Sequence, residues 1–355
     1  MTLETKNDRI AALESLFALS RDPVLGLREG LVVFSNSAAA GLFGRDVRGE
    51  AAAALLPELE ELPEGEDSVT AAEAGGVVYT VTAVPQEDVT VLTLLAPEQD
   101  PAGLGADALS RLRMAAFRLR MSLDSLEALA GEGEASRRAF HSYFELIHRI
   151  GQISDTGLLA RNELACRMQP LDLGRLVEDL THSAAVFTAR RQTALSASVP
   201  GEECVVNADG PLLEKLLLIL LSNALAHTGP EGHIRVRLRR DGERFYLSVD
   251  DDGEGMGPRE LSYAFSLRRN PEPSDAASGA GLGLFIAQGI ARLHGGSILL
   301  RSRTGEGTRV TVMLPRSADG RIRDACPPLA AGPEQILTEL ADLLPNEMYG
   351  SKYRD

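Results

Sequence analysis

Between residues 109 and 130, apolar side chains recur at alternating three- and four-residue steps: Leu109, Leu112, Ala116, Leu119, Leu123, Leu126 and Ala130. That is the heptad spacing of a helix packed against other helices. Gly131-Glu132-Gly133 breaks it, and a second helical pattern runs from about residue 134 to 164. Its apolar residues form two adjacent stripes, Phe140, Phe144, Ile147 and Leu158 beside Tyr143, Leu146, Ile150 and Ile153. A two-helix hairpin with so much apolar surface cannot bury it alone. Two hairpins paired as a four-helix bundle can, so a homodimer is expected.

The chain of 355 residues is too long for one ordinary core, and the hairpin divides it. Residues 1–100 hold eighteen Asp/Glu and six Lys/Arg, most of the net charge of −15. A nucleic-acid binder working by bulk electrostatics is thereby disfavoured. Residues 8–19 read as a short amphipathic helix. A strand, a turn at Arg28-Glu29-Gly30, a second strand and a small-residue helix follow. GVVYTVTAV (76–84) and DVTVLTLL (88–95) read as paired strands turning around Pro85-Gln86-Glu87. FSNSAAAGLFG, with Asn36 and Gly44, resembles a PAS-type sensor domain, here assigned to residues 1–97. These residues contain neither His nor Cys, so the expected signal is a small molecule, a non-covalent cofactor or a protein. Three scattered cysteines (Cys166, Cys204, Cys326) without a CxxC pair fit a reducing compartment. The charged N-terminus is not expected to be a signal peptide, and the apolar run Leu216–Leu221 is far short of a membrane span. A cytoplasmic chain is expected.

After a Gly/Pro-rich linker (96–106) and the hairpin (104–165), residues 170–316 change pattern. Helices near 173–190, 211–226 and 281–294 alternate with strands near 193–199 and 204–208. There follow a hairpin turning at Asp241-Gly242 and a last strand pair. That order predicts a two-layer α/β sandwich within a multidomain α+β chain. Residues 317–355 read as a tail with one amphipathic piece, PEQILTELADLL.

Four elements of the sandwich stand in one order: Asn223 in LLLILLSNALAHT on a helix, DDDGEGM after a strand, GAGLGL opening a helix, and GEGT in a strand-to-strand turn. Together they resemble the ATP-binding domain of sensor histidine kinases, a relative of gyrase, Hsp90 and MutL. The resemblance spans roughly residues 104–315. It implies ATP and Mg as cofactors, with Asp251 accepting from the adenine amine and Asn223 a magnesium ligand. An ionised carboxylate is acceptor-only, and magnesium prefers oxygen, so both residue types suit those tasks. Gly253 and Gly255 let the backbone approach the base. Gly279, Gly281, Leu282 and Gly283 lead into a helix whose free N–H groups suit phosphate. Residues 266–278 read as a lid carrying Arg268 and Arg269. His227 is expected beside the nucleotide, and Thr308 at a water-linked contact to the base. A response regulator or partner kinase is the implied protein partner.

The departures from that pattern are equally specific. Where the family's first bundle helix carries a histidine followed by an acid, as in HELRTPL, this chain reads FRLRMSL at 117–123. Phe117 and Arg118 thus occupy the phosphoacceptor and acid positions, and no histidine precedes residue 141. The chemistry needs an imidazole nitrogen and a carboxylate to orient it or take its proton. Phe offers neither, and Arg reverses the charge. His141 and His148 on the second helix remain as alternative acceptors, without an acid immediately after them. Ile219 stands where the kinases usually have another Asn and the ATPase branches a general-base Glu, and Ala226 where many kinases have a basic residue. The sequence therefore predicts a nucleotide-binding protein deficient in self-phosphorylation, with an active kinase using a non-standard histidine as the alternative. Met114, Phe117 and Met121 form a second apolar stripe on the first helix.

Overall fold

The computed structural model describes residues 10, 13–14, 17, 22–61, 68–86, 88–95, 106–266, 282–316 and 332–354. Strands β1 (Val24–Arg28) and β2 (Leu31–Ser35) turn through Glu29 and Gly30, both at positive φ. Helix α1 (Ser37–Phe43) follows. Asn36 starts it, its Oδ1 accepting from the Ala39 amide at 2.9 Å and the Val24 amide at 3.0 Å. Gly44, at φ 69°, ends it. After α2 (Ala52–Leu55) come β3 (Ser68–Ala74), β4 (Val77–Gln86) and β5 (Val89–Leu95). The order β2-β1-β5-β4-β3 makes an antiparallel sheet. Pro85 and Gln86 belong to β4, paired with Thr90 and Val89, so two residues expected in the turn are part of the strand, and Glu87 lies outside the described residues.

Helices α3 (Ala106–Ala130) and α4 (Glu134–Ala160) form the hairpin, joined where Gly131 turns at φ 80°. The second helix stops at Ala160, short of residue 164, because Asn162 adopts a left-handed φ of 54°. The heptad seam is only partly covered within one chain. Leu109 and Ala116 are buried and Leu123 packs on the core, but Leu119 and Leu126 are 41% and 60% exposed.

The remaining elements are β6 (Gln169–Asp172), α5 (Leu173–Thr188), β7 (Ala194–Ser198), β8 (Val205–Ala208) and α6 (Gly210–His227). Next come β9 (His233–Asp241), β10 (Arg244–Asp251), α7 (Pro258–Tyr263), α8 (Gly283–Leu293), β11 (Ser297–Arg303) and β12 (Gly307–Pro315). Asp172 and Asp209 cap α5 and α6. β6 and β8 pair apart from the main sheet. Among the described residues, α6 alone is long and apolar enough to cross a membrane, and here its Leu216–Leu221 run is buried in the core.

The main sheet does not stop at β11. Strand β3 pairs antiparallel with it, Ser68 opposite Arg301, Val69 opposite Leu300 and Thr70 opposite Leu299, giving ten strands in the order β2-β1-β5-β4-β3-β11-β12-β10-β9-β7. Side chains alternate across a sheet. Val69 and Leu300 therefore share the core formed with α6 and α8, while Ala72, Val81 and Ala83 point to the other face and the first domain's own core.

Residues 332–354 are folded against the rest. α9 (Pro333–Glu339), a 3-10 turn at Asn346–Tyr349 and α10 (Ser351–Arg354) place Ile336, Leu337, Leu340, Leu344, Met348 and Tyr349 in the large core. Residues 317–331 and 355 lie outside the described residues, while the amphipathic piece expected within 317–355 appears as α9 and is packed into the core. Hydrophobic burial holds this segment against α4 and α6.

Candidate nucleotide-binding site

The end of β10 and the start of β12 lie side by side, with Asp251 opposite Thr308 in register. Asp251 Oδ1 accepts from the amides of Gly253 at 3.0 Å and Thr308 at 3.2 Å. Both of these bonds fall on the same oxygen. Burial pushes the carboxyl up, opposed by those two amides. The loop after it is built on close approach. A Cβ at Gly253 would collide with the His227 carbonyl, and one at Gly255, at φ 66°, with the carbonyl of Arg303. Gly305 N donates to Glu254 O at 2.6 Å, and Met256 N to Ser302 Oγ at 2.8 Å. The 252–257 loop and the 304–307 turn are therefore stitched together.

Ser302 carried no sequence signal, yet it organises this corner. Its hydroxyl also lies 2.8 Å from Thr308 Oγ1 and donates to Gly307 O at 2.9 Å. The Thr308 side chain is consequently engaged with Ser302, and it is the Thr308 amide that reaches Asp251. His227, at the C-terminal end of α6, places Nδ1 2.7 Å from Glu254 Oε1, a partner the sequence did not single out. An open cleft of about 670 Å³ lies beside His227, lined also by Arg191, Thr228, Asp252, Gly253 and Glu254. Asn223 and Asp251 do not line it.

Asn223 lies one turn before His227 on α6, against the start of α8. Gly283 packs closely there, since a Cβ would sit 3.2 Å from the Ile219 side chain and in van der Waals contact, at 3.7 Å, with the Asn223 amide. One buried end of that amide, Nδ2, has no hydrogen-bond partner among the described residues. A buried polar atom without a partner is uncommon and points to a missing one. Leu282 and Gly283 precede and open α8 as expected, whereas Arg268, Arg269, Gly279 and Gly281 lie outside the described residues. Ile219 is buried. Ala226 is exposed.

The positions considered for phosphoryl chemistry differ in exposure. Phe117 on α3 is 58% exposed, with Met114 and Met121 beside it on the same stripe. Arg118 is exposed next to it. His141 and His148 on α4 are covered by residues 332–354. The His141 ring stacks on Tyr349 at 4.4 Å, with its nitrogens 2.7 Å from Asn346 Oδ1 and 2.8 Å from the Ala341 carbonyl. His148 is 7% exposed, and burial pulls it down to about 4. Its Nε2 lies 2.8 Å from Gln152 Nε2, the bond a neutral imidazole accepts. Glu339 is 3.6 Å from its Nδ1. Beside it Lys215 of α6 meets Asp155 at 2.5 Å and Glu339 at 3.4 Å. Burial pulls Lys215 down, but the two carboxylates outweigh it and leave it raised. This cluster ties α4, α6 and α9 together. Arg191 adds bonds to the Leu343 and Leu225 carbonyls.

Residues 208–318 match the family described as histidine kinase-, DNA gyrase B- and HSP90-like ATPase. The circadian input-output histidine kinase CikA of Synechococcus elongatus is 30% identical over 183 residues, covering 50% of this chain and 24% of that protein. The sensor histidine kinase ZraS of Klebsiella oxytoca is 31% identical over 209 residues, 56% of this chain and 44% of that one. The chain thus spans less than half the length of these curated relatives. Among solved structures, the catalytic domain of the histidine kinase ThkA aligns with 43% of this chain and 99% of that domain at 22% identity, TM-score 0.38. With the ordered motifs, the family match and these relatives together, residues 208–318 belong to the histidine kinase-, DNA gyrase B- and HSP90-like ATPase family, and the chain is similar to sensor histidine kinases over about half its length.

Proposed function

We propose that this chain is a signal-transduction protein that binds Mg-ATP between α6, the loop after β10 and the start of α8, and does not phosphorylate itself at the family's usual place. The observation carrying the reading is the corner at Asp251. Two amides fix one carboxylate oxygen, and the glycines beside it leave no room for side chains. The residues present fit the nucleotide. Asp251 would accept from the adenine amine, the Asn223 side-chain oxygen would be the magnesium ligand, and its unpartnered Nδ2, a donor, would suit a phosphate oxygen near Leu282 and Gly283. His227 would lie at the rim. Arg268, Gly279 and Gly281 keep the roles that the resemblance implies. Bound Mg-ATP would supply a transferable phosphoryl group.

Loss of self-phosphorylation is supported by the exposed Phe117 and Arg118 at the acceptor position and by the covering of His141 and His148. Several observations support the remaining assignments. The order β2-β1-β5-β4-β3, with helices between β2 and β3, fits a PAS-like sensor domain over residues 1–97. The exposed Leu112, Leu119, Leu126 and Leu129 on α3 fit closure of a four-helix bundle by a second copy. In this reading 104–165 is the dimerisation hairpin, 170–316 the ATP-binding domain, and the protein acts from the cytoplasm on a response regulator or partner kinase. The test is calorimetry with Mg-ATP. Asp251→Asn should weaken binding by about 1.5–3 kcal/mol, on the order of ten- to a hundredfold. Unchanged affinity in that variant would show that Asp251 does not hold adenine.

A further inference from the structure

We propose that β3 of the first domain is a detachable strand of the ATP-binding domain's sheet, and that its attachment raises nucleotide affinity by holding the loops around Asp251. The inference rests on the nucleotide reading above and adds its regulation. Without β3, strand β11 would be an open edge with unpaired backbone groups, which sheets pair or cover. The first domain fills that edge through three residues of register, Ser68 to Thr70 opposite Leu299 to Arg301. Thr70 Oγ1 adds a buried bond to the Ile298 carbonyl at 2.9 Å, and Glu73 pairs with Arg292 of α8 at 3.0 Å. The patch is small and partly ionic, the kind of contact that opens at modest cost.

What the patch touches gives it consequence. Arg301 precedes Ser302, whose hydroxyl holds Thr308, Gly307 and Met256, and the Thr308 amide holds Asp251. On the other side of the pocket, α7 begins directly after the 252–257 loop and packs on β3 and β4. Both loops that build the Asp251 corner therefore continue into elements that the first domain grips. A ligand that bends or loosens the first domain's sheet would reach the pocket through two short connections. Coupling of this kind is reciprocal: if attachment favours nucleotide, nucleotide favours attachment to the same degree.

The test uses the whole chain and Mg-AMP-PNP. Saturating nucleotide should slow amide hydrogen exchange in segments 68–74 and 297–303, a readout that needs no variant. Thr70→Val with Glu73→Arg should weaken nucleotide binding about tenfold, within the usual range of coupling between sites. Adding Arg292→Glu should recover part of that loss by restoring an opposite-charge pair. Nucleotide that binds with full affinity yet leaves exchange at 68–74 unchanged overturns the coupling and leaves the nucleotide reading standing. A wild-type chain that binds no nucleotide removes that reading, and the proposal with it.

Discussion

The nucleotide corner and the helical hairpin share one core, yet they are built on different things. At the corner the essential features are backbone approach and one carboxylate: Gly253, Gly255 and Gly307 sit where a Cβ would strike a carbonyl. Asp251 is held by two amides. Such a site is difficult to alter without collapsing the turn that carries it. The hairpin's expected chemistry would depend on two exposed side chains on a helix that folds equally well without them. Phe117 and Arg118 leave α3 intact from Ala106 to Ala130. Chemistry resting on exposed side chains can vanish silently, whereas chemistry built into backbone packing is protected by the fold.

The sharpest way to break this contrast is to repair the hairpin. Phe117→His with Arg118→Glu places an imidazole and a carboxylate on an exposed stretch, and should raise self-phosphorylation above that of the wild type to a measurable level. A variant that binds ATP but takes up no label would show that the ATP domain or its approach to α3 has changed as well.

The next effect concerns the contact that fixes the two regions to each other. Lys215→Met leaves Asp155 and Glu339 buried against each other without a cation. Breaking a buried pair in this way typically costs about 3–5 kcal/mol, so chemical denaturation should show a large loss of stability. A loss under about 1 kcal/mol would mean that the cluster is solvated like a surface pair.

A smaller effect appears with pH. His148 is held down by burial to about 4, below the ordinary histidine value, so the unfolded chain binds its proton first as pH falls. Its contribution to stability is full above about pH 6.5 and is lost on descending toward pH 4, by on the order of 3 kcal/mol at most. Asp342, Glu339, Lys215 and Arg149 surround it, and burial pushes Glu339 up, which acts in the opposite sense. Comparison with His148→Gln isolates the histidine. The wild type should lose stability relative to that variant across this window, and parallel pH curves would contradict the burial.

Most of the ATP-binding half was legible because its strands alternate and its caps and glycines stand at the boundaries. The Ile234–Leu238 alternation and the Asp251 corner lie where their residues point, whereas the hairpin turn falls one residue later than Asp241-Gly242, at Gly242-Glu243, because Asp241 still pairs with Arg244. Strand β3 was not legible. SVTAAEA is rich in alanine, a weak strand former, and Ser68 to Ala72 are buried without a break, so no alternation marks the strand. That omission also hid the junction of the two domains. The segment 332–354 was hidden differently. Its helix was visible, but its partners, His141, His148 and Lys215, are separated from it by more than a hundred residues, and ionic pairing leaves no periodic trace. Ser302 shows the same limit at the site, since a single buried hydroxyl has no pattern.

The central claim is that this chain retains nucleotide while lacking its own phosphoacceptor. The most direct measurement incubates the whole wild-type chain with Mg and γ-labelled ATP, at a concentration where calorimetry shows saturation, and follows label on the protein. The account predicts saturable binding with no acid-labile, base-stable label. Such a label mapping to His141 or His148 would contradict it, because both rings would then have to leave the cover of residues 332–354 and act as nucleophiles.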